Sequence, residues 1–220
     1  FLERTAVLRQ GQTMELLFLL YHTYTALRGS EADSLDRFLE WAPATLRDLS
    51  EVDAHLLELD ILYKDLRNYH ELEDWSFRLG ELSPAQQRAN TEWRATGDLH
   101  RAFQERMLST GMATSGFVAR TSAERTRQRC VLPWNMIHFA GLNALDPATT
   151  ATIAQLQEQG RAAVAWDADT FYTEASEQEA GLFLRRSMAA LGPGTLPPQN
   201  GILGRERHIH VVKAPHPLAQ

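Results

Sequence analysis

Asn135-Met-Ile-His-Phe-Ala-Gly-Leu-Asn-Ala-Leu145 and, further on, Ala165-Trp-Asp-Ala-Asp-Thr-Phe-Tyr172 decide the fold class of this chain. Each stretch starts apolar and ends in a polar turn. Met136–Phe139 and Ala162–Trp166 are short apolar runs bounded by turn residues, as central strands should be. Asp146-Pro147 opens a helix between them and Gly160 ends it. Strand, helix and strand in this order make a βαβ unit of the kind that builds nucleotide-handling α/β domains. The first strand delivers Gly141 and Asn143 where an ATPase would deliver two carboxylates.

Upstream, the periodicity is helical. From Met14 to Leu27, Leu17, Leu20, Tyr21 and Tyr24 form one face, and Leu16, Leu19 and Leu27 widen it. Gly29 suits a left-handed cap. Ser34 is placed to cap a second helix whose apolar positions run from Leu35 to Leu56. Pro43 falls inside that pattern. An interior proline costs a helix roughly 3 kcal/mol, so a kink at Trp41–Pro43 or two helices are expected. Asp60 can cap a third helix through Ile61, Leu62 and Leu66, and Leu72 to Leu82 reads as a packed aromatic loop. Ser83-Pro84 restarts a helix that should reach about Thr110, interrupted at Thr96-Gly97-Asp98 and closed by Gly111. Another helix covers Phe117 to Arg129. Downstream of the βαβ unit, Glu174 to Leu191 is helical with Ala180, Leu184, Met188 and Leu191 on one stripe, and His208 to Lys213 alternates like a last strand. The expected fold is helix-rich α/β, with an all-helical region over 1–131 and a partial βαβ section over 132–220.

The 220 residues allow one or two domains and an ample core. A hydrophobic content of 44% excludes wholesale disorder. Net charge is −6, whereas a free-standing nucleic-acid binder carries a basic excess. Any DNA contact must therefore use a local patch or be shared with other parts. Cys130 is the only cysteine, which rules out an intramolecular disulfide and a thiolate cluster and fits a cytoplasmic location. The greasiest run, Leu16-Leu-Phe-Leu-Leu20, is too short to span a bilayer, so no membrane role is expected. Phe1 is not a start methionine and no signal peptide follows it, so the chain reads as a piece of a longer protein.

Candidate chemistry is sparse. Asp167 and Asp169 sit at a strand end, separated by Ala168, and alternation points both to one side, where two carboxylates can bind Mg²⁺. The alternative is that they cap the turn or the following helix. Arg120, Arg125, Arg127 and Arg129, beside Thr121 and Ser122, form the best nucleic-acid patch available; the alternative is a solvated helix face. Trp41, Trp75 and Trp93 could stack on bases but lie at core spacing. His208, His210 and His216 lack the partners of a zinc site, and His22, His55, His70 and His100 suit structural roles, so no metal is assigned. Cys130 has no local base, and Ser115-Gly116 lacks the frame of a nucleophile elbow. No catalytic residue is assigned. No G-x-x-x-x-G-K-[ST] loop occurs, nor an Asp followed by a Glu-x-Lys on adjacent strands.

Three stretches together resemble the Bacteroidetes-type AddB-like proteins of the PD-(D/E)XK nuclease family. They are Leu17-Phe-Leu-Leu-Tyr-His-Thr-Tyr24; Leu35-Asp-Arg-Phe-Leu-Glu-Trp41 with Leu46-Arg-Asp-Leu-Ser-Glu-Val-Asp53; and Phe139-Ala-Gly-Leu-Asn-Ala-Leu145 with Trp166-Asp-Ala-Asp169 and Glu179-Ala-Gly-Leu-Phe-Leu184. The resemblance implies a central fragment: a helical insertion of UvrD-like helicase type, then strands of a RecA-like, P-loop-like lobe. Gly141 and Asn143 would then be a degenerate Walker B-like strand end. It implies DNA end processing in recombinational repair by the parent protein, with a partner subunit. ATP and Mg²⁺ are implied for the parent family and no cofactor for the fragment. Two other readings stay open: a stand-alone metal-dependent enzyme using Asp167 and Asp169, and a helical protein-interaction module.

Overall fold

β1 (Arg9–Gln10) leads into α1 (Thr13–Arg28), α2 (Leu35–Ala54), α3 (Pro84–Thr110), β2 (Met112–Ala113) and α4 (Ser115–Arg127). β3 (Ile137–Ala140), α5 (Pro147–Glu158), β4 (Ala162–Ala165), α6 (Thr170–Glu174) and α7 (Leu182–Leu191) follow. These elements come from a computed structural model that describes residues 8–63, 84–196, 199 and 201, with side chains in α3 described from residue 93 onward. The chain is helix-rich mixed α/β, and among the described residues two small sheets form, each a parallel pair. It divides into two compact units: Phe1–Asn135 with Asp146–Gly160, and Met136–Leu145 with Arg161–Gln220. Against the expected ranges 1–131 and 132–220, α5 therefore packs with the helical unit. Ala148, Ile153 and Leu156 are its buried residues, and Gln159 Nε2 donates to the Thr126 carbonyl at 2.8 Å.

The core of the first unit follows from the helical stripes. Leu16, Leu17, Leu19 and Leu20 of α1 meet Phe38, Ala42, Leu46 and Leu49 of α2, Leu99, Phe103 and Met107 of α3, and Phe117 of α4. Tyr21, Tyr24, Phe38 and Trp41 extend it as an aromatic cluster, with ring centroids 4.8–5.5 Å apart, so Trp41 packs in the protein. At the start of α1, Glu15 accepts the Gln12 N–H at 2.8 Å and two bonds from Arg9. The arginine holds the Glu15 carboxyl below its ordinary range.

Several expectations hold and others are corrected. Gly111 and Gly160 end their segments as read, Gly29 ends α1 with φ 57° but ψ −125°, outside the left-handed helical region expected of it, and Asp146 caps α5 through the Thr149 N–H and hydroxyl, both at 2.8 Å. Ser34 occupies the N-cap of α2 but its hydroxyl makes no cap bond. α2 runs unbroken through Pro43, because Phe38, Ala42, Leu46 and Leu49 bury as one continuous stripe. α3 is likewise uninterrupted at Gly97. A Cβ there would lie 2.8 Å from the Tyr63 ring, so the glycine admits a close neighbour and does not break the helix. Gly116 serves α4 similarly: a Cβ would overlap the Ser50 carbonyl, and the Gly116 N–H donates to Ser50 Oγ at 3.0 Å. Asp60 lies within the helical turn 59–63, not ahead of it. Leu66, Leu72 to Leu82 (with Trp75), His70, Ser83, His208 to Lys213 and His216 fall outside the described residues.

α2 and α4 end alike. Leu56 N–H donates to the Asp53 carbonyl and Leu57 N–H to Val52, while Arg129 N–H donates to Thr126 and Cys130 N–H to Arg125. These are Schellman closures with Leu56 at φ 56° and Arg129 at φ 55°, positions where glycine is usual. α4 therefore stops at Arg127, two residues short of the expected end.

In the second unit β3 and β4 pair in parallel, with Phe139 opposite Val164 and Ala140 opposite Ala165. The strand expected at Met136–Phe139 is present one residue later. It is not buried on both faces: Ile137 and Phe139 are half-buried while His138 and Ala140 are exposed. Beyond β4, the Thr195 N–H donates to the Val164 carbonyl at 2.8 Å and occupies the strand's other edge. The single helix expected over Glu174–Leu191 is instead α6, a 3₁₀ turn at Glu179–Gly181, and α7. Arg185 explains the break. Its guanidinium donates to the carbonyls of Tyr172, Ala175, Ser176 and Gln178 at 2.7–3.1 Å, which fixes the chain outside a helical path.

Candidate functional site

The strand-end residues lie on a backbone whose polar groups are tied to neighbouring segments. Gly141 turns the chain at φ 70° directly after β3, and the exposed Asn143 offers its carbonyl to the buried Ser187 hydroxyl at 3.2 Å. No carboxylate stands at this turn. After β4, Trp166 is buried and donates its indole N–H to the Gly192 carbonyl at 2.9 Å, while Asp167 is exposed. Asp169 is the N-cap of α6: Oδ1 accepts from Phe171 N–H at 3.0 Å and Oδ2 from Gly201 N–H at 2.6 Å. Each carboxylate oxygen thus faces a backbone donor. This arrangement favours the capping role over metal binding. Among the described residues no three His, Cys, Asp or Glu side chains converge as a metal would need. The neutral side chains after β3 do not suit a Mg²⁺-nucleotide, which calls for a carboxylate at that strand end.

The arginine patch does not hold together. Arg120 is buried, with Nε 3.0 Å from Asp53 Oδ1 and Nη2 donating to the Leu57 carbonyl at 2.6 Å. A buried guanidinium bound in this way cannot reach a phosphate. Arg125 is half-buried, and Arg127 and Arg129 are exposed at the end of α4. Cys130 is half-buried. Trp93 packs on Tyr63 with centroids 5.1 Å apart.

The most organised polar cluster was not read from the sequence. Asp53 is 1% exposed and His100 is fully buried. His100 Nε2 lies 3.2 Å from Asp53 Oδ2, and its Nδ1 lies 3.0 Å from the Tyr63 hydroxyl. Gln104 Nε2 donates to Asp53 Oδ1 at 2.6 Å. Burial, and secondarily the negative charge of Asp53, push the Tyr63 phenol up to about 12, against the opposing pull of Arg101. His100 is fully buried and Tyr63 is 7% exposed, so this carboxylate–imidazole–hydroxyl row is packed in the core and not open at the surface. The only sequence signal was a histidine on a helix face one turn from Gly97. Also in this unit, a cavity of about 450 Å³ opens among Tyr24, Arg28, Asp33, Trp41, Asp98 and Leu99. Its two acids already face arginines: Asp98 with Arg101 at 2.9 Å and Asp33 with Arg37 at 4.0 Å.

The chain matches no family model, no curated protein and no solved structure. Among the described residues no helix is long and apolar enough to cross a membrane.

Proposed function

We propose that this chain is a non-catalytic central portion of an AddB-like helicase-nuclease of the PD-(D/E)XK family, acting as a scaffold that helps form a DNA channel. The observation that carries this reading is the end of β3. A parallel strand–helix–strand succession, the topology of nucleotide-handling domains, runs out into Gly141 and Asn143 instead of acids. In this reading β3 and β4 belong to a RecA-like lobe, the helices before them are an insertion, and α5, which joins the two strands, packs with that insertion. ATP and Mg²⁺ chemistry, a partner subunit and nuclease activity belong to the parent protein. DNA contact falls to Arg125, Arg127 and Arg129, since Arg120 is committed to Asp53.

The test is an ATPase and exonuclease assay of the purified chain together with DNA binding by fluorescence anisotropy. Expected are no turnover and weak, salt-dependent binding. Changing Arg127 and Arg129 to Glu should lower the salt slope by about 2. Turnover that disappears with Asp167→Ala, or binding indifferent to both arginines, overturns the reading.

A second reading, a helical protein-interaction module, is favoured by the outer face of α1. There Met14 and Phe18, one turn apart, are 54% and 44% exposed. Serine at both positions would abolish partner capture in that case and would leave DNA binding untouched.

A further inference from the structure

The buried cluster of Asp53, Tyr63, His100, Gln104 and Arg120 has no part in the proposed scaffold role, and its donors and acceptors can be counted. Gln104 Nε2 donates to Asp53 Oδ1 and the Arg120 guanidinium lies 3.0 Å from the same oxygen, a positive charge that favours a carboxylate whose Oδ2 is left facing His100. It has no proton to give His100. Nε2 must then carry the imidazole proton and donate to Asp53 Oδ2, which leaves Nδ1 as an acceptor for the Tyr63 O–H. The raised Tyr63 pKa agrees, since the phenol keeps the proton it must donate.

The cluster lies at the point where the chain leaves α2. Asp53 is in the last turn, Leu56 follows in the left-handed region, and Arg120 Nη2 binds the Leu57 carbonyl at 2.6 Å. Six residues further on, Tyr63 meets α3, its ring on Gly97 and Trp93 and its hydroxyl on His100. We propose that Tyr63, His100 and Asp53 form a one-way hydrogen-bond chain that latches residues 55–63 onto α3, with Arg120 clamping the segment's start, so that this segment opens as one unit when the Tyr63–His100 bond is lost. Breaking that bond leaves Nδ1 a buried acceptor without a donor, which opposes partial opening.

Nitrogen NMR of the imidazole in the unmodified 220-residue chain tests the direction of the bonds. A proton on Nε2 with a bare Nδ1 is expected; an Nδ1–H tautomer or an imidazolium overturns the proposal. Tyr63→Phe removes one hydroxyl and keeps the ring. Amide exchange over residues 57–63 should then rise together, roughly five- to tenfold, with the α1 core unchanged. No rise, or an equal rise through all helices, also overturns it.

Discussion

The two units satisfy their polar groups in different ways. In the first, side chains join segments far apart in the chain: Tyr63 with His100 across 37 positions, and His100 with Asp53 across 47. In the second, the charged side chains bind backbone groups, near and far in the chain. Asp169 accepts from the Phe171 N–H two residues ahead and from the Gly201 N–H 32 residues ahead, and Arg185 reaches back 7 to 13 residues to carbonyls around α6. Removing a long-range buried charge strands its partners in the core. Removing a side chain that binds backbone at the half-buried rim frees groups that water can reach. The first unit should therefore be the more sensitive to single polar substitutions.

Asp53→Ala puts the greatest strain on that comparison. It leaves Arg120 and His100 buried without their acceptor and should cost about 3–5 kcal/mol in urea unfolding. A loss below about 1 kcal/mol would mean the cluster is hydrated and the contrast between units is false. Gly116→Ala comes next, at about 2–3 kcal/mol, because a methyl must displace the Ser50 carbonyl between α2 and α4. Arg185→Ala should cost about 2 kcal/mol and raise amide exchange around residues 172–178, while Arg186→Ala stays within about 0.5 kcal/mol. An equal response of the two arginines would remove the explanation for the broken helix. Asp146→Ala, the loss of an N-cap, should cost about 1 kcal/mol.

A further effect is one of pH. The Tyr63 phenol sits near 12 in the folded chain against 10.0 for an ordinary tyrosine. Above pH 10 the unfolded chain gives up this proton while the folded chain retains it, so the stabilisation present below 10 is lost as pH rises toward 12. Unfolding free energy should fall over that window, and Tyr63→Phe should flatten the decline. A Tyr63→Phe protein with an unchanged alkaline slope would show that Tyr63 is not the titrating group.

Part of the fold was legible before any coordinates. The capping carboxylate of Asp146, the closing glycines at 111 and 160 and the apolar runs at 136–139 and 162–166 act over one turn or one strand, and their elements appear within a residue of where the pattern placed them. Pro43, Gly97 and the 174–191 segment did not follow their local signals. Each is governed by something distant or opposed: a continuous buried stripe, the Tyr63 ring, and a guanidinium that competes for helix carbonyls. The candidate site divides in the same way. A neutral strand end was visible as Gly141 and Asn143, but Arg120 could not be separated from Arg127 by sequence spacing alone.

Sequence alone determined α1, α4 and α5, the pair of strands β3 and β4 and the neutral character of the turn after β3, because propensity, capping and side-chain charge are properties of a few adjacent residues. Tertiary structure decided which polar groups are committed. Arg120 became a core ion, Asp169 a cap and His100 a link between Asp53 and Tyr63 because folding brought their partners within about 3 Å, a distance that no local pattern encodes.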